Sequence, residues 1–199
     1  MLYLNSYLKL DNTNLNIMMI KAFRLSLLLF FVTVSFEMNA QNEIVDFPRN
    51  RLALVMGNAH LPSGVDANGE KVWKVLPSWG LDYDYRIDEK WAIGIHTDMF
   101  IETFEVTREV DNGPDEIIER SSPFSAVFTG SRKFGEHFTL MAGYGQEFSK
   151  EETLSLLRIG AEYGWEIGEN WELGLSLMFD DKFDTYTSWT FGVGVSKFF

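Results

Sequence analysis

Three histidines, at positions 60, 96 and 137, are the side chains with the most catalytic reach in this sequence. Hydrolytic chemistry would ask one of them to activate a hydroxyl or a water while an acid orients its ring. His60 has Ser63 and Asp66 close by in sequence, and His96 has Asp98 two residues on. In an extended strand residues i and i+2 share a face, so His96 and Asp98 point the same way, with Ser78 on the preceding segment. His137 falls in a short polar run, Gly135-Glu136-His137. There is no cysteine, which removes thiolate metal sites and disulfides together. Asp111-Asn112-Gly113 reads as turn chemistry, because the alternate-position ligands of a calcium loop are missing. No catalytic, cofactor-binding or metal-ligating set is predicted. A formal charge of -12 without Lys/Arg clusters argues against nucleic-acid binding.

The elements that carry these residues read as extended. Aromatics make up 15% of the chain and glycine is frequent, yet no long apolar run occurs past residue 40, a combination that favours strands over helices. Three polar turns look alike: Asp88-Glu89-Lys90 before Trp91, Gly135-Glu136-His137 before Phe138, and Gly168-Glu169-Asn170 before Trp171. They alternate with other connections at 62–72, 107–120, 149–152 and 180–184, of which the loop Thr107 to Arg120 is taken as a solvated surface loop. The segments between them predict strands near 51–61, 73–87, 91–106, 121–134, 138–148, 153–167, 171–179 and 185–199. The fold class expected is all-β: a single up-and-down antiparallel barrel of about eight strands, with short turns at one end and loops at the other.

Ahead of the strands lies an export address. Leu25 to Phe36 is apolar except for Ser26, Thr33 and Ser35; Lys21 and Arg24 precede it and Ala40 follows. A basic stretch, a short apolar core and a small residue at the cut are the layout of a signal peptide. A dozen residues are too few for a spanning helix, which needs about 20. The organisation expected is therefore 1–17 as an upstream extension before a start at Met18 or Met19, 18–40 as signal peptide, 41–50 as an N-terminal segment and 51–199 as the barrel.

Inside the segments the period is two. Trp171, Leu173, Leu175, Leu177 and Phe179 alternate with Glu172, Gly174, Ser176, Met178 and Asp180, and four other segments behave likewise. The polar face collects Asp82, Asp84, Arg86, His96, Asp98, Glu102, Glu147, Arg158, Glu162, Glu166 and Glu172. Arg158 and Glu162 share a face but lie about 13 Å apart along the strand, so cross-strand partners are expected for both. Arg132 falls on the apolar side of Phe124, Ala126 and Phe128, where a bulge or a snorkelling side chain is expected. Alternation alone does not orient the faces. A soluble barrel puts the apolar face inside, around a ligand; a membrane barrel puts it against lipid. Three features favour lipid: aromatics near segment ends (Trp79, Trp91, Phe138, Tyr144, Trp171 and Trp189), a polar face mixing glycine with charge of both signs, and a last strand closing on Phe199.

That last strand, ending Lys197-Phe198-Phe199, resembles the C-terminal aromatic signature of bacterial outer-membrane barrels. The signal peptide, strand count and short turns together are similar to the small outer-membrane barrel family of the OmpX/OmpA type over residues 41–199. The resemblance implies an integral outer-membrane protein with both termini on the periplasmic side. It also implies contact with outer-membrane lipid and lipopolysaccharide, and recognition of Phe199 by the barrel-assembly machinery. The expected role is non-enzymatic, structural or loop-presenting, with a lumen filled by side chains and a paired lumen charge network. Two alternatives stay open: a soluble periplasmic lipocalin-like binder of an apolar ligand, and a lipid A-modifying barrel enzyme. Against the second, none of the histidine groups has the His-x-Ser pattern of the lipid A deacylases. If the apolar face meets lipid, replacing Leu175 by Arg should impair insertion by about 2–4 kcal/mol, read as loss of the folded species; unaltered assembly and stability would count against that orientation.

Overall fold

Period-two segments joined by turns that reverse the chain can satisfy every backbone donor and acceptor by closing on themselves, and this chain does so. The structure is a computed structural model. It describes residues 47–199 apart from 66–70, 109, 111–112 and 184, and leaves the side chains of 63–65 and 71 undescribed. The expected extension, signal peptide and most of segment 41–50 lie outside the described residues.

Ten strands follow in chain order: β1 Asn50–Val65, β2 Lys71–Arg86, β3 Trp91–Phe100, β4 Phe104–Arg108, β5 Glu116–Arg120, β6 Phe124–Phe134, β7 Phe138–Phe148, β8 Thr153–Gly168, β9 Trp171–Lys182 and β10 Tyr186–Phe198. Eight of them close a barrel in the order β1-β10-β9-β8-β7-β6-β3-β2, and β4 pairs only with β5. All the barrel pairs are antiparallel, and β1 meets β10 from Arg51 opposite Phe198 to His60 opposite Trp189. Asn50 fastens that seam: its backbone exchanges 2.9 Å hydrogen bonds with Phe199, and its side-chain amide donates to the Phe199 carbonyl at 3.0 Å. The first described residues, the last residues and the three short turns share one end.

The short turns close by different means. Asp88 accepts from the backbone N–H of Lys90 and of Trp91, both at 2.7 Å, a side-chain mimic of a backbone turn. Gly135 and Asn170 instead take left-handed φ values of 65° and 62°, which glycine and asparagine tolerate best.

The third and fourth strands differ from expectation. The barrel wall ends at Phe100, short of 106, and resumes at Phe124, past 121. Pro123 has no N–H to extend the ladder, and Ser122 turns the chain with a φ of 43°. The expected surface loop Thr107–Arg120 is largely a β-hairpin, with Phe104 opposite Arg120 and Arg108 opposite Glu116. Its inner face is apolar. Phe104, Val106 and Ile118 are buried with Ala59, Leu61, Leu76, Phe100, Leu154 and Tyr186, all at the loop ends of their strands. The Phe104 ring lies 6.0 Å from Phe100 and edge-on to Tyr186 at 5.8 Å. The hairpin therefore stoppers the loop end of the lumen with a cluster of buried apolar side chains.

The faces are unambiguous. Leu54, Ile95, Phe128 and Phe191 are more than half exposed on the outside, while Asp84, His96, Arg158 and Ser196 on the inward face are at most 4% exposed. Arg132 sits on the outer face in unbroken register with Trp91 and Leu140, with its guanidinium 5.0 Å from the Trp91 ring and 5.1 Å from Phe134. Of the two expectations for this residue, the register excludes the bulge.

Phe104→Ala should remove about 3–5 kcal/mol of packing from the stopper while leaving the barrel ladder intact. The expected result is protease cleavage within the hairpin while the barrel keeps its heat-modifiable gel migration.

Candidate functional site

The lumen is narrow, so every inward charge must find a partner within it. Arg51, at the start of β1, takes the short-turn half. It bonds Asp84 of β2 at 3.0 Å, meets Glu162 of β8 in a close ion pair, and lies 3.8 Å from Glu172 of β9. His96 of β3 adds to the same group, with Nε2 2.9 Å from Asp84 and Nδ1 3.7 Å from Asp82. Room for these carboxylates comes from glycine. A Cβ on Gly94 would fall 2.2 Å from the Asp84 Oδ1, and one on Gly164 would fall 2.4 Å from the Glu172 carboxyl carbon. No other residue leaves that space.

Midway along the lumen Arg158 of β8 is held between two carboxylates. It bonds Asp180, its cross-strand neighbour, through both Nε at 2.7 Å and Nη2 at 2.8 Å, and reaches Asp98 at 2.5 Å. Lys182, two residues on from Asp180, donates to Ser188 at 2.5 Å and lies 3.5 Å from Asp180 and 3.8 Å from Glu147. Directly beneath the stopper, Glu147 accepts from Arg120 at 2.6 and 3.1 Å and from the Tyr186 hydroxyl at 2.6 Å. Arg120 also donates to the Glu152 carbonyl at 2.8 Å, so it ties β5 to β7 and to the connection before β8. Outside the barrel wall, Ser149 donates to Glu151 at 2.7 Å and holds that carboxyl below its ordinary range.

Two spaces remain. A cavity of about 260 Å³ opens at the short-turn end and reaches in to Arg51, Asp84, His96, Glu162 and Glu172. A second, of about 20 Å³, lies deeper among Asp82, Asp98, Arg158 and Ser176; that is room for about one water molecule.

Asp82, Asp84, His96, Asp98, Arg158 and Glu162 are thus brought together along the lumen. Arg86 and Glu166 are at its mouth instead. Arg86 lies against the rings of Phe47 and Phe198 and donates to the Pro48 carbonyl at 3.2 Å, and Glu166 is exposed. Glu102 is not in the lumen at all. With β3 ended at Phe100, it stands exposed and pairs with Lys74 at 3.6 Å. Asp180, on the polar side of the alternation, partners Arg158, and Arg51, Arg120, Lys182 and Tyr186 join the network although the sequence pattern did not point to them.

The histidine groups do not assemble into catalytic sets. His96 faces Asp82 in register, whereas Ser78 is opposite Phe100, about 13 Å along the strand, and Asp98 is taken up by Arg158. His60 is exposed on the outer face, and the side chains of Ser63 and Asp66 are outside the described ones. His137 donates from Nδ1 to the Gly164 carbonyl at 2.9 Å and stacks on Tyr163. Among the described residues no three His, Asp or Glu side chains converge to hold a metal ion. The six expected girdle aromatics all lie on the outer face, but only Trp91, Phe138 and Trp171 begin their strands and Trp189 is near the start of its own; Trp79 and Tyr144 stand well inside β2 and β7. Trp79, Phe138, Tyr144, Trp171 and Trp189 are exposed there, and Trp91 is partly covered by Arg132.

Arg158→Met leaves Asp98 and Asp180 buried without their cation. It should cost about 3–5 kcal/mol, seen as a lower urea midpoint for loss of the heat-modifiable form. Adding Asp98→Asn and Asp180→Asn should restore most of the loss; no restoration would show that the unpaired carboxylates are not its cause.

No family model and no curated protein matches the chain. Among solved structures it is similar to the attachment invasion locus protein Ail of Yersinia pestis, at 17% identity and a TM-score of 0.43 over 74% of this chain and 99% of that one. It is also similar to Neisserial surface protein A, at 10% identity and a TM-score of 0.48 over 75% and 97%. A third similar structure is the outer membrane protein OprG of Pseudomonas aeruginosa, at 12% identity and a TM-score of 0.49 over 77% and 97%.

Proposed function

We propose that this chain is an integral outer-membrane β-barrel with no enzymatic task, which presents its β4–β5 hairpin beyond the loop end and keeps its lumen closed with its own side chains. One observation carries the reading: below the stopper the closed barrel keeps Asp82, Asp84, His96, Arg158 and Glu172 inside, while its outer wall exposes Leu54, Leu81, Ile95, Phe128, Ile159, Leu177 and Phe191. Water gives no reason for such an inversion, and a hydrocarbon surround gives a strong one. A lipocalin-like binder needs the reverse, an apolar lining around a pocket. The lipid A-modifying reading lacks support as well, since His96 is engaged by Asp84 and, among the described residues, its other ring nitrogen has no hydroxyl partner.

On this reading residues 18–40 direct export, 1–17 precede the true start, and both ends of the barrel chain face the periplasm. Trp91, Phe138 and Trp171 sit at headgroup depth at the short-turn end and Trp79 and Trp189 toward the other interface, with Tyr144 between them, and bilayer lipid and lipopolysaccharide surround the wall. Phe199 is the residue read by the barrel-assembly machinery. The stopper and the paired lumen leave no path for solutes.

Fractionation with heat-modifiable gel migration tests the proposal. The protein is expected in the outer-membrane fraction, with its unboiled form migrating differently from the boiled one, and planar bilayers holding it should show no steady solute-sized conductance. A protein freely soluble without detergent would overturn the reading.

A further inference from the structure

Two outward-facing cations stand where their neighbours are apolar. Arg132 is the cross-strand partner of Trp91, and Lys197 is the cross-strand partner of Trp171. In both pairs the cation lies 5.0 Å from the tryptophan ring. Both tryptophans are the first residue of a strand that follows a short turn, so the two pairs sit at the same end of the barrel. The β3–β6 and β10–β9 seams that carry them are diametrically opposed, with two strands between them in either direction.

We propose that these two tryptophan–cation pairs dock the phosphodiester of an anionic glycerophospholipid in the leaflet at the short-turn end. The proposal rests on the membrane reading above. An indole at a bilayer interface places its apolar body in the acyl region and its edge among headgroups. A cation stacked on that ring has its stem held along apolar surface and its charge delivered at phosphate depth. Lys197 spends one N–H on the Glu169 carbonyl at 3.2 Å, and an ammonium has three.

Among the described residues, outward cation–aromatic stacks occur only at the short-turn end, because the Lys182 stack on Phe100 and Tyr186 is buried inside. Both ends expose carboxylates, Glu89, Glu136 and Glu169 near the short turns and Glu102, Glu105, Asp115, Glu116 and Glu119 near the loops, so it is the stacked cations that set the short-turn end apart.

The test uses the full chain folded into phosphatidylcholine vesicles with and without phosphatidylglycerol, with lipid retention read by native mass spectrometry and folding by heat-modifiable migration. Wild type should retain phosphatidylglycerol over phosphatidylcholine, and Arg132→Gln and Lys197→Gln should each lower that preference about fivefold. Arg132→Lys and Lys197→Arg should keep it, and Glu136→Gln, a carboxylate in a short turn, should leave it unchanged. Where a glutamine variant does not fold, the wild-type preference and its loss at high salt decide. A folded wild type that shows no preference, or glutamine variants that retain it, overturns the proposal and leaves the membrane reading standing. A wild type that folds into neither vesicle overturns both.

Discussion

A strand cannot send all its side chains one way. Once the ladder closes and the outside must be apolar, half of each strand is committed to a tube too narrow to hydrate what it receives. The lumen of this protein is the working-out of that constraint. Arg51, Arg158, Lys182 and Arg120 are spaced along the axis, and carboxylates from other strands gather on each of them. Such pairs add little net stability over an apolar filling. What they do is penalise every other register, because a slip of one residue would carry Arg158 or Asp180 to the outer surface and Leu157 or Phe179 into the lumen.

Different physics holds the two ends of the tube. Near the short turns the inward residues are charged, they rest over glycines, and a cavity stays open among them. Near the loops they are apolar. Leu61, Leu76, Phe100 and Leu154 face inward as their chemistry demands only because Phe104, Val106 and Ile118 come down to meet them. Arg120 and Glu147 then anchor the hairpin to the wall below.

This division explains what could be read in advance. The alternation from Trp171 to Phe179 names both faces because its inward half is polar. In β1 the inward half is Ala53, Val55, Gly57, Ala59 and Leu61, as apolar as the outward half, so the pattern dissolved and Arg51 went unassigned. The same loss of contrast at the starts of β2 and β8 was itself the trace of a stopper, since apolar side chains pointing into a polar lumen imply something apolar above them. Arg120 was hidden by its acidic neighbours Glu116 and Glu119, which suit a solvated loop, while the hairpin that buries it depends on contacts distant in sequence. Glu102 was misplaced by continuing a period that Pro123 interrupts.

The cavity opens at the short-turn end and reaches Arg51, His96 and Glu172, while the hairpin covers the opposite end of the lumen. On the membrane reading proposed above, the tube is then a cul-de-sac rather than a corridor: the ionic atmosphere around Arg51, His96 and Glu172 answers to the compartment on the short-turn side rather than to the one the hairpin faces.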